Sequence, residues 1–178
     1  MLTGAPIVLL PSAISEAKAF ARIHGSDEDA LVAGLMASAA ELCEQFTLQA
    51  LVARSFTEVV PATGNWTRLG IAPVRAITGV EMLHGEGRAS ALAVADYAVD
   101  IDPNGDGWVR VTRPMDAARL RVTFEAGLAA NWESVPDALR HGVVRLATHL
   151  FMQREEAASR PPAAVTALWR PWRRMRIA

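Results

Sequence analysis

A single cysteine, Cys43, occurs in 178 residues. That excludes an intrachain disulfide and a cysteine-rich zinc site. Cys43 sits among Ala, Leu and Glu in a helical pattern and reads as a buried thiol in a reducing compartment. No run approaches the ~20 apolar residues of a membrane span, so no membrane partner is expected. Met1 to Leu10 carries Ile7-Val8-Leu9-Leu10 but no basic residue ahead of it, and Pro11 cuts it short. It does not read as a signal peptide, and synthesis in the cytoplasm is expected. Net charge is nearly absent, at −1, so nothing marks the whole chain as a general nucleic-acid binder. Lysine is almost missing, Lys18 standing alone against abundant arginine. With the alanine excess, this points to GC-rich coding, not to function.

Catalytic signatures are lacking too. There is no His-Glu-x-x-His, no Gly-x-Ser-x-Gly elbow, and no Walker or dinucleotide glycine loop. Gly85-Glu86-Gly87 is too short for one. His141 and His149 lie eight apart, too far for a metal pair on adjacent turns. Glu155-Glu156 reads as a solvated helix face. Asp100-Ile101-Asp102-Pro103-Asn104-Gly105-Asp106-Gly107 resembles the opening of a calcium loop. The twelfth position, where a bidentate glutamate belongs, is Val111. The flanks read as strands, so this segment is expected to be a hairpin turn. No catalytic residue, metal or cofactor is expected.

What the chain does have is apolar residues, half of the total, in patterns that change along it. Ser12 can cap a helix to about Ile23, with Ala13, Ala17, Phe20 and Ala21 at helical spacing. Ser26 can start a second helix with Asp29 in a capping-box-like place. There Leu31, Leu35, Ala39, Leu42 and Phe46 repeat, and Ala33, Gly34, Ala37, Ser38, Ala39 and Ala40 make a small-residue surface. Short strands separated by Gly, Pro, Asn and Asp follow: Val52–Val60, Trp66–Ile71, Ala76–Leu83, Ser90–Val94, Tyr97–Ile101, Trp108–Val111 and Leu120–Phe124. Helix returns at Pro136, with a stripe of Leu139, Val143, Leu146, Ala147, Leu150 and Phe151, and is expected to reach about Ala158. Pro161-Pro162 stops it. Ala163 to Trp169 can form a short helix.

The expected fold is therefore α+β. Two N-terminal helices (1–52) and one long C-terminal helix (131–160) make a small helical bundle. An antiparallel β subdomain (53–130) is inserted in it, and a short helix and basic tail follow (161–178). From Arg160 to Arg176 there are five arginines and no acidic residue, with Trp169 and Trp172 among them. Trp and Arg dominate interface hot spots, and exposed tryptophans are costly in water. Partner docking is thus preferred over a solvated tail.

Several segments, in order and spacing, carry a resemblance over nearly the whole chain. They are Ser15-Glu16-Ala17-Lys18, Asp27-Glu28-Asp29-Ala30-Leu31, Ala72-Pro73-Val74-Arg75-Ala76-Ile77 and Tyr97-Ala98-Val99-Asp100. Next come Val122-Thr123-Phe124-Glu125-Ala126-Gly127, Val135-Pro136-Asp137-Ala138-Leu139 and Ala147-Thr148-His149-Leu150-Phe151 with Arg154-Glu155. The last is Val165-Thr166-Ala167-Leu168-Trp169-Arg170-Pro171-Trp172-Arg173. Together they resemble the head–tail connector (adaptor) proteins of long-tailed phages and phage-derived gene transfer agents. Usual members end in a Pro-Tyr-Arg context, where this chain has Pro171-Trp172-Arg173.

The resemblance implies a non-enzymatic ring, commonly of twelve copies, in the neck of a virion or gene transfer agent particle. It would sit beneath the portal protein, extend the DNA channel without sequence-specific binding, and meet a stopper or other tail protein. Trp169, Arg170, Pro171, Trp172, Arg173, Arg174 and Arg176 would dock on the portal, the two tryptophans filling apolar pockets there. Truncation at Pro162 would then leave the domain folded. Ring contacts would be heterologous, and the small-residue face of the second helix is one candidate for them. The rival reading is a nucleic-acid-binding regulator that uses the basic tail.

Overall fold

The computed structural model describes residues 1–9, 11–84, 88–115, 119–153 and 161–174. The chain is α+β and divides into two compact units. One is Met1–Pro6 with Ala53–Leu128, the other Ile7–Val52 with Ala129–Ala178.

Among the described residues the first unit holds eight strands: β1 (Leu2–Gly4), β2 (Arg54–Pro61), β3 (Thr67–Arg68), β4 (Val74–Leu83), β5 (Ala89–Ala91), β6 (Tyr97–Ile101), β7 (Gly107–Val111) and β8 (Arg119–Ala126). They form a five-stranded antiparallel sheet, β1-β2-β8-β4-β5, and a three-stranded one, β3-β7-β6. Strand β8 alternates strictly: Leu120, Val122, Phe124 and Ala126 are buried, and the residues between them face outward. That period of two is why it takes the central place. Phe56 of β2 lies opposite Phe124, with the rings stacked 5.8 Å apart.

The expected strands appear with shifted ends. Trp66–Ile71 shrinks to the two residues of β3. Ser90–Val94 becomes β5 plus a 3-10 turn at Val94–Asp96. Strand β1 was unexpected, and it pairs Leu2 with Glu58 and Gly4 with Phe56. All three of its residues are exposed, so no apolar alternation announces it.

The acidic loop is a hairpin turn. Asp102 Oδ1 accepts the backbone N–H groups of Asn104 (2.8 Å) and Asp106 (3.0 Å). Its Oδ2 accepts the Trp108 indole N–H at 3.3 Å. Asp106 pairs with Arg68 at 2.8 Å. Gly105 has φ +77°, a left-handed conformation that suits glycine. The carboxylates shape the turn, and no cluster of metal-ligating side chains occurs among the described residues.

The second unit holds α1 (Pro11–Ala21), α2 (Asp29–Thr47), α3 (Asp137–Met152) and α4 (Ala163–Trp169). Pro11, not Ser12, opens α1, as suits a residue with no N–H to lose. The Ser12 hydroxyl instead donates to the Glu133 carboxylate. That bond, helped by Arg140, holds Glu133 below the usual carboxylate range. Helix α2 starts at Asp29, after a turn in which Asp29 N–H donates to the Ser26 carbonyl. Helix α3 is described to Met152, and its expected extension to Ala158 falls outside the described residues. Glu16 of α1 binds both the Trp132 indole N–H (3.1 Å) and Arg140 of α3 (3.4 Å), tying α1 to the start of α3.

The buried face of α2 is Val32, Met36, Ala39, Ala40 and Cys43. Leu31 and Leu42, which the spacing had placed on the apolar face, point outward, as does Phe20 of α1. On α3, Leu139, Val143, Leu146 and Ala147 are buried as expected, while Leu150 and Phe151 are only half-buried. Burial pushes the Cys43 thiol far up, and the neighbouring Glu44 carboxylate adds to it. Cys43 is therefore a small core residue and an unreactive one. No helix among the described residues is long and apolar enough to cross a membrane.

Candidate functional site

The C-terminal segment is the part of the sequence with a composition suited to a partner. It folds back on its own unit. Pro162 opens α4, Val165 and Trp169 fall one turn apart on its inner side, and both are buried. A 3-10 turn at Arg170–Trp172 continues the chain. Beyond it the Arg174 N–H donates to the Thr47 carbonyl at 3.0 Å. The Gln49 side chain donates to the Trp172 carbonyl at 2.5 Å. The segment is thus pinned to the C-terminal end of α2, where Leu48 takes the left-handed conformation that ends the helix.

Trp169, expected to face a partner, is completely buried within its own unit. Its indole N–H points at the Leu139 carbonyl, 3.4 Å away. Its ring lies 5.9 Å from that of Phe46. Opposite it, α3 carries Gly142, and a Cβ placed there would fall 2.2 Å from Trp169 Nε1. The glycine makes the hollow that takes the indole. The sequence did contain that signal: a glycine inside an otherwise regular helical stripe usually has a packing reason.

Gly142→Ala therefore sets two effects against each other. Alanine favours the helix by about 1 kcal/mol. Overpacking a rigid aromatic costs about 1–3 kcal/mol, and a contact this short belongs at the upper end. The variant should be less stable than the parent by about 1–2 kcal/mol, read from chemical denaturation followed at the helical circular-dichroism band. Unchanged or raised stability would show that the indole has room to move.

The residues after Trp169 are partly outward-facing. Arg170, Pro171 and Arg173 are exposed, and Trp172 and Arg174 are half-buried. The Arg173 guanidinium sits 5.7 Å from the centre of the Phe46 ring. Arg176 lies outside the described residues, as do Glu155, Glu156 and the Gly85-Glu86-Gly87 turn. The structure thus brings Arg170, Pro171, Trp172, Arg173 and Arg174 together at one end of α2, held by backbone and side-chain hydrogen bonds.

The remaining histidines do not converge. His24 and His141 are exposed, and His149 is half-buried. His84 bonds the Ser90 hydroxyl at 2.8 Å. His141 meets the Phe20 ring edge to face, 5.7 Å between centroids. No nucleophile–base–acid set forms from them.

No family model and no curated protein matches the sequence. Solved structures do. A chain in the neck of an empty gene transfer agent particle, computed with C6 symmetry, is 26% identical with a TM-score of 0.81, covering 100% of this chain and 97% of that one. A chain of the virion of a native gene transfer agent particle is 25% identical with a TM-score of 0.76, again covering 100% and 97%. A chain in the neck of a native particle computed with C12 symmetry is 24% identical, with a TM-score of 0.73. The resemblance drawn from the sequence thus has a structural counterpart: from end to end, this chain is similar to proteins of gene transfer agent necks.

Proposed function

We propose that this chain is a structural head–tail adaptor of a phage or gene transfer agent particle. Copies of it ring the lower end of the portal protein, extend the DNA channel and present a surface to a stopper or tail protein. The helical unit is the bundle that forms the ring, and the β unit is an insertion into it. Its place is the particle neck, and its work is assembly, with no catalytic step.

The observation that carries this reading is end-to-end likeness to neck chains, including ones from particles computed with C6 and C12 symmetry. A shared subdomain alone would leave the remainder of the chain to do something else. The residues Arg170, Pro171, Trp172, Arg173 and Arg174 are the surface offered to the portal. They combine an aromatic with planar multidentate cations and are already ordered, which lowers the entropic cost of docking. The regulator reading loses support because Trp169 is buried and cannot stack on bases.

Deleting the gene from the producing strain should leave DNA-filled heads without tails. Electron microscopy of the lysate checks this, with the chain resupplied in trans to restore tailed particles. Tailed particles in normal number from the deletion strain would refute the reading.

A further inference from the structure

Two helices of the second unit turn unexpected residues to solvent. On α2 the outward face carries Leu31 and Leu42, 43% and 38% exposed, while Val32, Met36, Ala39, Ala40 and Cys43 fill the core. On α3 the outward face carries His141, Arg145 and Met152, at i, i+4 and i+11. Exposed Phe20 adds its ring to the His141 end. Large apolar side chains turned to solvent are what a helix shows when its outer face has a partner of its own.

The two faces also differ in charge. From Ser26 to Val52 there is no Lys or Arg, while Asp27, Glu28, Asp29 and Glu41 are all acidic. Asp29 is paired with Lys18 inside the unit, and exposed Glu41 stands beside Leu42. The outward face of α3 presents Arg145 with His141 one turn before it, and the exposed Asp137 a further turn back is paired with Arg140. Between the leucines of α2 lie Gly34 and Ser38, both exposed. A Cβ added at Gly34 would meet nothing within 4 Å. A second helix can therefore approach closely there.

We infer that the α2 face with Leu31, Glu41 and Leu42 of one copy docks on the α3 face with His141, Arg145 and Met152 of the next copy. This rests on the ring reading above and gives it a contact. The two faces are different surfaces of one unit, each turned away from the core that both helices share. A contact between unlike faces repeats head to tail, and it closes into a ring when the rotation between copies allows. The apolar residues supply burial. The Glu41–Arg145 pairing sets register and excludes the like-on-like arrangement, since matching charges opposite one another are penalised.

The test is a charge swap made in the full chain, in the particle-producing strain. Glu41→Arg alone and Arg145→Glu alone should each lower the amount of chain on purified particles by at least about tenfold. Both changes together should restore at least half of the wild-type amount. Both residues are exposed, so each purified variant should melt with the wild type, and that measurement guards against misfolding. Single variants bound at the wild-type level, or a double variant no better than the worse single one, would overturn the interface while leaving the adaptor reading intact. Wild-type chain absent from particles would overturn both.

Discussion

Trp169→Ala should destabilise the helical unit by about 3–5 kcal/mol. The indole is wholly buried and sits against Gly142, Leu139 and Phe46. Removing it loses its transfer free energy and leaves a cavity. That cavity cannot collapse cheaply, because Gly142 has no side chain to move into it and the α3 backbone is fixed by its own hydrogen bonds. Domains of this size are stable by only about 5–15 kcal/mol. Truncation after Pro162 removes Val165 and Trp169 together, along with the bond that Gln49 donates to the Trp172 carbonyl and the one that Arg174 donates to the Thr47 carbonyl. The helical unit of that shortened chain should be largely unfolded at room temperature. Urea titration followed by circular dichroism checks both variants. A loss under about 1 kcal/mol for Trp169→Ala would mean that the indole is not a core residue.

The burial of Trp169 has a physical reason that the tail's composition does not reveal. Trp and Arg together describe an interface hot spot, but they equally describe a chain end whose aromatic plugs its own domain while its cations stay wet. Composition cannot separate the two. The separating information lies 27 positions earlier, at Gly142, and becomes meaningful only once α3 and α4 lie side by side. Patterns with a strong period were legible: α3 through Leu139, Val143 and Leu146, and β8 through Leu120, Val122 and Phe124. Patterns without one were not. Strand β1 has three exposed residues and owes its existence to the edge of β2.

On α2 the spacing of Leu31, Leu35, Ala39, Leu42 and Phe46 was correctly helical, but its members divide: Ala39 is buried, Leu35 and Phe46 are half-buried, and Leu31 and Leu42 are exposed. The spacing of large residues finds an apolar stripe, but not which neighbour covers it. In a chain that assembles, the exposed edge of such a stripe can belong to the assembly and the rest to the core.

With Trp169 assigned to the core, what remains of the docking surface is sharper, and the joint change Arg170→Glu with Arg173→Glu is its strongest test. Both side chains are exposed, so reversal should leave folding nearly intact. Arg173 loses its contact with the Phe46 ring, worth about 0.5–1 kcal/mol at an exposed site. Arg170 makes no such contact. Docking should suffer far more. An interface arginine commonly carries about 2 kcal/mol or more, and turning it acidic adds repulsion from whatever acceptors it had met. Two such changes should weaken each copy's hold by at least about 100-fold, and every copy in the ring carries both. The expected outcome is DNA-filled heads without tails from a strain whose variant chain is soluble and melts close to wild type. Arg113→Glu, which reverses an exposed charge paired with Asp96 in the β unit, serves as the control and should leave head–tail joining unchanged. Tailed particles at the wild-type level from the double reversal would remove the tail from the docking surface. The portal contact would then have to lie on another face of the chain.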